Sequence, residues 1–301
     1  RVTHYDYWDD ELKPSILVDC HADLLIYGMG ELPLKSIIAR LKNGEKISDL
    51  KDIPQTSYLV DKNAIPEYPE AETFTLFGHK ECLKDKMKQA KNFRVVEEES
   101  NKVNAQRLIQ AIDDKRVAVI NPPFPLMDSK TLDESFELPY TWQPHPKYKG
   151  KTFPAYEMIK FSVNIHRGCF GGCAFCAIAA HQGKHIVSRS EESILREVER
   201  LKEHPEFKGY LSDLGGPSAN MYGMMGRDKS KCAKCKRYSC IHPVLCKNMN
   251  TDHTRLIELY KKVDSIPGIK KSFIGSGIRY DLMSEEYGRV LITRHVSGRL
   301  K

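Results

Sequence analysis

Cys169, Cys173 and Cys176 stand in one short run, Asn164-Ile-His-Arg-Gly-Cys-Phe-Gly-Gly-Cys-Ala-Phe-Cys176, with C-x3-C-x2-C spacing. Thiolates suit iron–sulfur clusters, and a cubane takes four of them. Three cysteines leave one iron open for a substrate or cofactor. Gly168, Gly171 and Gly172 let the backbone bend around such a group, since glycine reaches dihedrals closed to other residues. A zinc knuckle borrowing a fourth ligand fits less well, because zinc loops favour paired C-x2-C spacings. The expectation is an open [4Fe–4S] cluster at a reactive centre. Arg167 would favour the thiolate form by its charge, and His166 reads as a hydrogen-bonding neighbour rather than a ligand.

A second group follows: Cys232, Cys235, Cys240 and Cys246, spaced C-x2-C-x4-C-x5-C. Four thiols so close suit a closed tetrahedral site, most simply structural zinc, with an auxiliary iron–sulfur cluster as the alternative. Unligated, packed cysteines are common in interiors, but such spacing in a polar loop fits that reading poorly. Lys229, Lys231, Lys234, Lys236 and Arg237 surround the group; they suit a phosphate, or offset the negative charge of a tetrathiolate site.

The chain that must position these residues has 301 of them, enough for one large or two ordinary domains. Hydrophobic residues make up 41% and charged residues 29%, as in a globular protein. No apolar run of membrane-spanning length exists, and the first residues have no signal-peptide core. Of the 9 cysteines, seven fall between 169 and 246, a clustering that favours metal ligation in a reducing compartment, the cytoplasm. The net charge of +7 permits contact with nucleic acid, but no basic-aromatic ribbon argues for it.

Residues 24–27 read as a strand, followed by a Gly28-Met-Gly30 turn and a helix with Leu34, Ile37, Ile38 and Leu41 on one face and Gly44 at its end. Strand, glycine turn and helix suit a Rossmann-like unit, with the glycine pair itself more simply a tight turn than a phosphate loop. Residues 83–90 and 104–112 read as helices and 117–121 as a strand. Residues 122–158 form an aromatic and proline-rich linker segment packed along a domain.

Beyond it, strands at 159–164, 209–214 and 271–275 alternate with helices. One runs from Glu191, capped by Ser190, and another follows Thr251. A last helix and a fourth strand near 294–297 end the chain. The pattern predicts a parallel sheet with its notable residues after the strand ends. The domains expected are 1–121, an incomplete N-terminal α/β region; the linker; and a core over 159–301 with a cysteine-rich insertion at about 224–250.

The three-cysteine loop, with Phe175 just before its last cysteine, resembles the signature of radical S-adenosylmethionine (radical SAM) enzymes. The run from Phe161 to Cys176, then Ala177-Ile-Ala-Ala-His-Gln-Gly183, Ser188-Arg-Ser190 and Gly209-Tyr-Leu-Ser-Asp-Leu-Gly-Gly-Pro-Ser-Ala-Asn-Met-Tyr222, is similar to the YgiQ family within that superfamily. The similarity extends over most of residues 15–301.

The resemblance implies a partial (β/α) barrel of six strands, preceded by a remnant of a Rossmann-like, cobalamin-binding-like domain without its ligating histidine motif. With about four strands visible and no initiator methionine, the chain reads as a fragment cut at both ends. The resemblance further implies that Gly215-Gly216 holds the cofactor's methionyl amine, although Pro217 replaces the glutamate of the family's Gly-Gly-Glu. It places Ser276 and Arg279 at the ribose and carboxylate, and Phe175 near the adenine. His181, His185 and Asp213 have no specific role beyond proximity.

The function expected is reductive cleavage of S-adenosylmethionine to a 5′-deoxyadenosyl radical, with an electron donor as partner and an unidentified substrate. The alternatives are a non-catalytic zinc or iron–sulfur interaction protein and an RNA-modifying enzyme of the same superfamily.

Overall fold

A computed structural model describes residues 2–294. The described chain forms two compact units. Residues up to Leu126, with Ala180–Gly183 and Asp228–Ser239, make the first; Met127–Ala179, Lys184–Arg227 and the residues from Cys240 onward make the second.

The first unit begins with an antiparallel hairpin, β1 (His4–Asp6) and β2 (Glu11–Lys13). Its body is a five-stranded sheet of β3 (Leu25–Ile26), β4 (Thr56–Asp61), β5 (Thr73–Leu76), β6 (Arg107–Ala111) and β7 (Arg116–Ile120), in the order β3-β4-β7-β6-β5. Only β5 and β6 run parallel; the other neighbours are antiparallel. The β-branched and aromatic residues of β4 and β7 favour this pairing, and Tyr58, Val117 and Val119 bury their side chains together.

The strand, glycine turn and helix expected near the start are present as β3 and helix Glu31–Lys42, but β3 pairs antiparallel with β4, whereas a Rossmann unit needs parallel neighbours. Of the expected apolar stripe on that helix, Ile37 is buried while Leu34, Ile38 and Leu41 are exposed. Residues 104–112, read as a helix, contain β6 instead. The run Arg107-Leu-Ile-Gln-Ala111 lies between two partner strands, and that pairing overrides weak helical spacing. The helix expected at 83–90 is two: His79–Lys84, and Lys86–Ser100 capped by Asp85.

In the second unit, β8 (Ser162–Asn164), β9 (His166–Arg167), β10 (Val187–Ser188), β11 (Tyr210–Leu211), β12 (Asp213–Gly215) and β13 (Lys271–Ser272) are short. β8 pairs parallel with β12, and β11 pairs parallel with β13. The expected strand at 209–214 is thus split in two, each half serving a different neighbour. Backbone bonds from Ser212 to Phe161, Leu214 to Phe273 and Phe273 to Leu211 carry the ladder across the break.

Helices Glu191–Leu201 and Thr254–Asp264 cover the strands. Their Ile194, Val198, Leu201, Leu256, Leu259 and Val263 pack with Val163, Leu211, Leu214 and Ile274 in one core. Ser190 caps the first helix, accepting from Ser193 N–H at 3.1 Å. The second starts at Thr254 rather than Thr251; Asp252 accepts from Thr254 N–H at 3.0 Å.

The segment 122–158 holds two short helices, Ser129–Phe136 and Pro154–Ile159, where an extended linker was expected. Asp128 caps the first, and proline in the first turn suits the second. Arg294 ends helix Glu285–Arg294, and the rest of the strand expected at 294–297 lies outside the described residues. Among the described residues no helix is long and apolar enough to cross a membrane.

Candidate metal and cofactor site

β8 delivers the chain to the cysteine loop. Val163 and Ile165 are buried in the core, and Ile165 N–H donates to Gly215 O at 2.8 Å, fixing the end of β8 against the end of β12. β9 then turns back to pair with β10, so the loop leaves from a braced hairpin. Gly168 makes the departure possible. Its φ is +86°, and a Cβ there would strike the His185 carbonyl, with the carbonyl carbon only 2.9 Å away.

Within the loop, a Cβ on Gly171 would lie 3.3 Å from Cys169 Sγ, 3.7 Å from Cys173 Sγ and 3.9 Å from Arg279 Nη1. Cys176 N–H donates to Cys173 O at 3.0 Å, closing a turn between these two cysteines. Burial pushes the Cys169 thiol up. The neighbouring Cys173 and Cys176 act in the same direction, while the Gly171 N–H and the Arg279 charge oppose them. Phe175 stands at the surface, 93% exposed.

The loops after the next strands reach the same place. Asp213, on β12, accepts from the N–H of Gly275 at 2.8 Å, from the N–H of Ser276 at 3.1 Å and from the Ser276 hydroxyl. One carboxylate thereby ties the end of the central strand to the loop after β13. Three residues on, Arg279 donates through Nη1 to Cys173 Sγ at 3.2 Å. Its Nε donates to Asp281 at 3.0 Å, and Nη2 also faces that carboxylate. Buried Asn220 holds the Arg279 backbone at both ends: Oδ1 accepts from Arg279 N–H at 2.9 Å and Nδ2 donates to Arg279 O at 2.8 Å.

His166 lies beneath the loop with its ring against Gly216, where a Cβ would come within 2.6 Å of ring Cε1. The ring is fully buried and neither nitrogen has a hydrogen-bond partner; burial lowers its pKa to about 3. A neutral imidazole is the result. Burial also lowers His185, to about 4, whereas His181 is exposed in helix Ile178–Gln182.

Cys169, Cys173 and Cys176, Gly215, Ser276 and Arg279 therefore share one rim of the second unit. Sequence reasoning had no use for Asp213, Asn220 or Asp281. A lone carboxylate amid the apolar residues of a strand was the available signal for Asp213; Asp281, two residues beyond Arg279, has no periodic mark.

Among the described residues no group of three or more Cys, His, Asp or Glu side chains is placed to hold a single ion. A cubane makes a different demand, since each cysteine binds its own iron and the sulfurs ring the cluster rather than converge. A glycine-rich loop with thiols flanking Gly171, and a cationic donor on one of them, fits that demand.

Cys232, Cys235, Cys240 and Cys246 were expected to share one ion, and that expectation finds no support here. Cys232 and Cys235 belong to the first unit, at helix Lys229–Ala233 and the turn after it. Cys240 and Cys246 belong to the second, where they pack with Cys169 against Phe170, Met221, Met224, Ile241, Met249 and Leu282. Cys240 N–H donates to Phe170 O at 3.0 Å, inside the cysteine loop. Two of the surrounding lysines are engaged with carboxylates: Lys236 with Glu98 at 3.2 Å and Lys231 with Asp228 at 3.6 Å.

Comparison with known proteins adds the family. Residues 1–162 match the model described as Radical SAM N-terminal, a match that ends before the cysteine loop and so is independent of it. A UPF0313 protein of Bacteroides thetaiotaomicron is 57% identical over the whole of this chain and 52% of its own length. One from Porphyromonas gingivalis is 57% identical over 49% of its length, and one from Methanocella arvoryzae 45% over 50%. The chain thus spans about half the length of these relatives. The matched region takes in the body of the sheet unit and the segment after it, and the match does not confirm a cobalamin-binding-like remnant there. With that match and these relatives, the chain belongs to the YgiQ family of radical SAM proteins.

Proposed function

We propose that Cys169, Cys173 and Cys176 hold a [4Fe–4S] cluster with one open iron, at which the protein reductively cleaves S-adenosylmethionine. The cluster, when bound, passes one electron from an external donor to the sulfonium, so that the S–C5′ bond breaks into methionine and a 5′-deoxyadenosyl radical.

The chain's own residues have other tasks. Gly168 sets the loop's angle. Gly215 and Gly216 would take the cofactor's amine; the Gly215 carbonyl already accepts from Ile165 N–H, which makes Gly216 O the acceptor for it. The Ser276 hydroxyl, fixed by Asp213, would serve a ribose oxygen. Phe175 offers an uncovered ring to the adenine. The strands belong to a partial (β/α) barrel, whose remaining part carries the specificity for the unidentified substrate.

One observation carries this reading: Arg279, from the loop after β13, donates to Cys173 in the loop after β8. Strand ends far apart in sequence thus meet at the three thiols. Anaerobic reconstitution tests it. The wild-type chain should take up about four irons, one cubane's worth, and release methionine and 5′-deoxyadenosine on reduction with dithionite and S-adenosylmethionine. The triple Cys→Ala variant should do neither, and a full cluster in that variant would falsify the assignment.

A further inference from the structure

Arg279 reads from the resemblance as a ligand of the cofactor's carboxylate, but its guanidinium is already committed elsewhere. A bidentate carboxylate clamp needs two parallel N–H groups along one edge of the fork. The edge formed by Nε and Nη2 faces Asp281, while Nη1 points to Cys173 Sγ at 3.2 Å. The backbone beneath is equally fixed, with Asn220 bonded to both the N–H and the carbonyl of Arg279. Asn220 is itself fully buried, with Nδ2 3.4 Å from His253 Nε2, and His253 stacks on Tyr287 at 4.5 Å between ring centres. The result is an arm anchored in the core and ending on one particular thiol.

We propose that Arg279 is a positioning and tuning residue for the cluster rather than a cofactor clamp. It donates a charge-assisted hydrogen bond to the Cys173 sulfur, with Asp281 setting how much positive charge reaches that sulfur and Asn220 holding the arm in register. This inference rests on the cluster assignment above. A donor on a cluster sulfur stabilises the electron-rich, reduced form and raises the reduction potential. Asp281 opposes it, because a carboxylate on the far edge of the fork draws the guanidinium back and offsets its charge. The two residues should therefore act with opposite sign, which a merely structural contact would not produce.

The test is a potentiometric titration of the reconstituted full chain, followed by electron paramagnetic resonance, with no S-adenosylmethionine present. Omitting the cofactor removes any contribution from carboxylate binding. Arg279→Ala should load iron to the wild-type level and show a more negative midpoint potential. Asp281→Asn should also load normally and shift the midpoint the other way. Asn220→Ala should shift in the same direction as Arg279→Ala, by less; if this core variant fails to fold, the opposite-signed pair still decides the matter. Unchanged midpoints in both Arg279→Ala and Asp281→Asn, or shifts of the same sign, would overturn the proposal while leaving the cluster in place. A wild-type chain that takes up no cluster would instead overturn the reading beneath it.

Discussion

In the sheet unit, two buried amides serve the framework through both their oxygen and their nitrogen. Asn92 accepts from Phe77 N–H and donates to Phe77 O, and Gln110 accepts from Thr3 N–H and donates to the same carbonyl. In the unit that carries Cys169, Cys173 and Cys176, His166 is buried as deeply, yet both ring nitrogens go without partners, and the chain beside it turns through a glycine that tolerates no side chain. The strands differ as well: β4 runs for 6 residues in a continuous ladder, while β11 and β12 are a broken strand of 2 and 3. Single buried atoms of the sheet unit also lack partners, Gln89 Oε1, Arg107 Nε and Asn121 Oδ1 among them, but at His166 a whole ring does, beside a backbone turn closed to any side chain. Unspent hydrogen-bonding capacity beside such a turn marks a place shaped by what it must hold.

The sharpest way to break the contrast is Gly168→Ala. The new Cβ meets backbone atoms of His185, which cannot swing aside, and the residue would have to keep φ at +86°. The expected cost is about 4 kcal/mol or more, at the exceptional end for one substitution. Cluster uptake should be lost, while hydrogen exchange of β4 and β7 stays as in wild type. An Ala variant that loads iron normally would show the loop to be less constrained than its geometry requires.

Core truncations sharpen the comparison from the other side. Leu108→Ala in β6 and Leu214→Ala in β12 each remove a buried side chain, at about 2–5 kcal/mol apiece. Urea denaturation measures the cost, and iron uptake separates the two. Leu108→Ala should leave uptake unchanged, whereas Leu214→Ala, on the strand ending at Gly215, should impair it. Equal uptake would mean that the rim does not depend on its own core.

Acid should act on the rim unit as well. Burial lowers His166 to about 3, below the 6.5 of an unfolded histidine. Between those values the unfolded chain binds a proton that the folded one excludes. Stability is therefore full above about pH 6.5 and falls as pH drops, at about 1.4 kcal/mol per unit for this group. Denaturation of the apo chain at a series of pH values should show this slope, and a His166→Phe variant, if it folds, should show it reduced. A slope unchanged by the substitution would assign the acid sensitivity to other groups.

What the sequence made legible follows from how local each signal was. The helix capped by Ser190 and the strand leading to the cysteines were readable because cap, periodicity and cysteine spacing lie within a few residues of one another. β6 was misread because its identity depends on the partners on either side of it, which no local window contains. Asp213 carries no sequence signal beyond proximity, and Asn220 none, for the same reason: each matters through bonds to residues about sixty positions away. The second cysteine group marks the opposite limit. Its spacing is as local and as legible as that of the first, but the ion it would take is not written in spacing alone.

The smallest effect expected on stability comes from the most conspicuous side chain of the loop. Phe175 is 93% exposed and contributes nothing to either core, so Phe175→Ala should change the unfolding free energy by no more than about 0.5 kcal/mol. Cluster uptake should likewise survive, since no thiol is touched. A single exposed ring is ordinary on a surface, but this one adjoins the last of three thiols and is free to take a planar partner. If adenine stacks there, equilibrium dialysis of S-adenosylmethionine against the loaded chain should show a loss of about 0.5–1.5 kcal/mol in Phe175→Ala, the range for an aromatic pair beyond simple area. Phe175→Tyr should bind as wild type. Unchanged affinity in the Ala variant would leave the ring without a part in cofactor binding, whereas a large loss of stability would place it in the packing that its exposure denies.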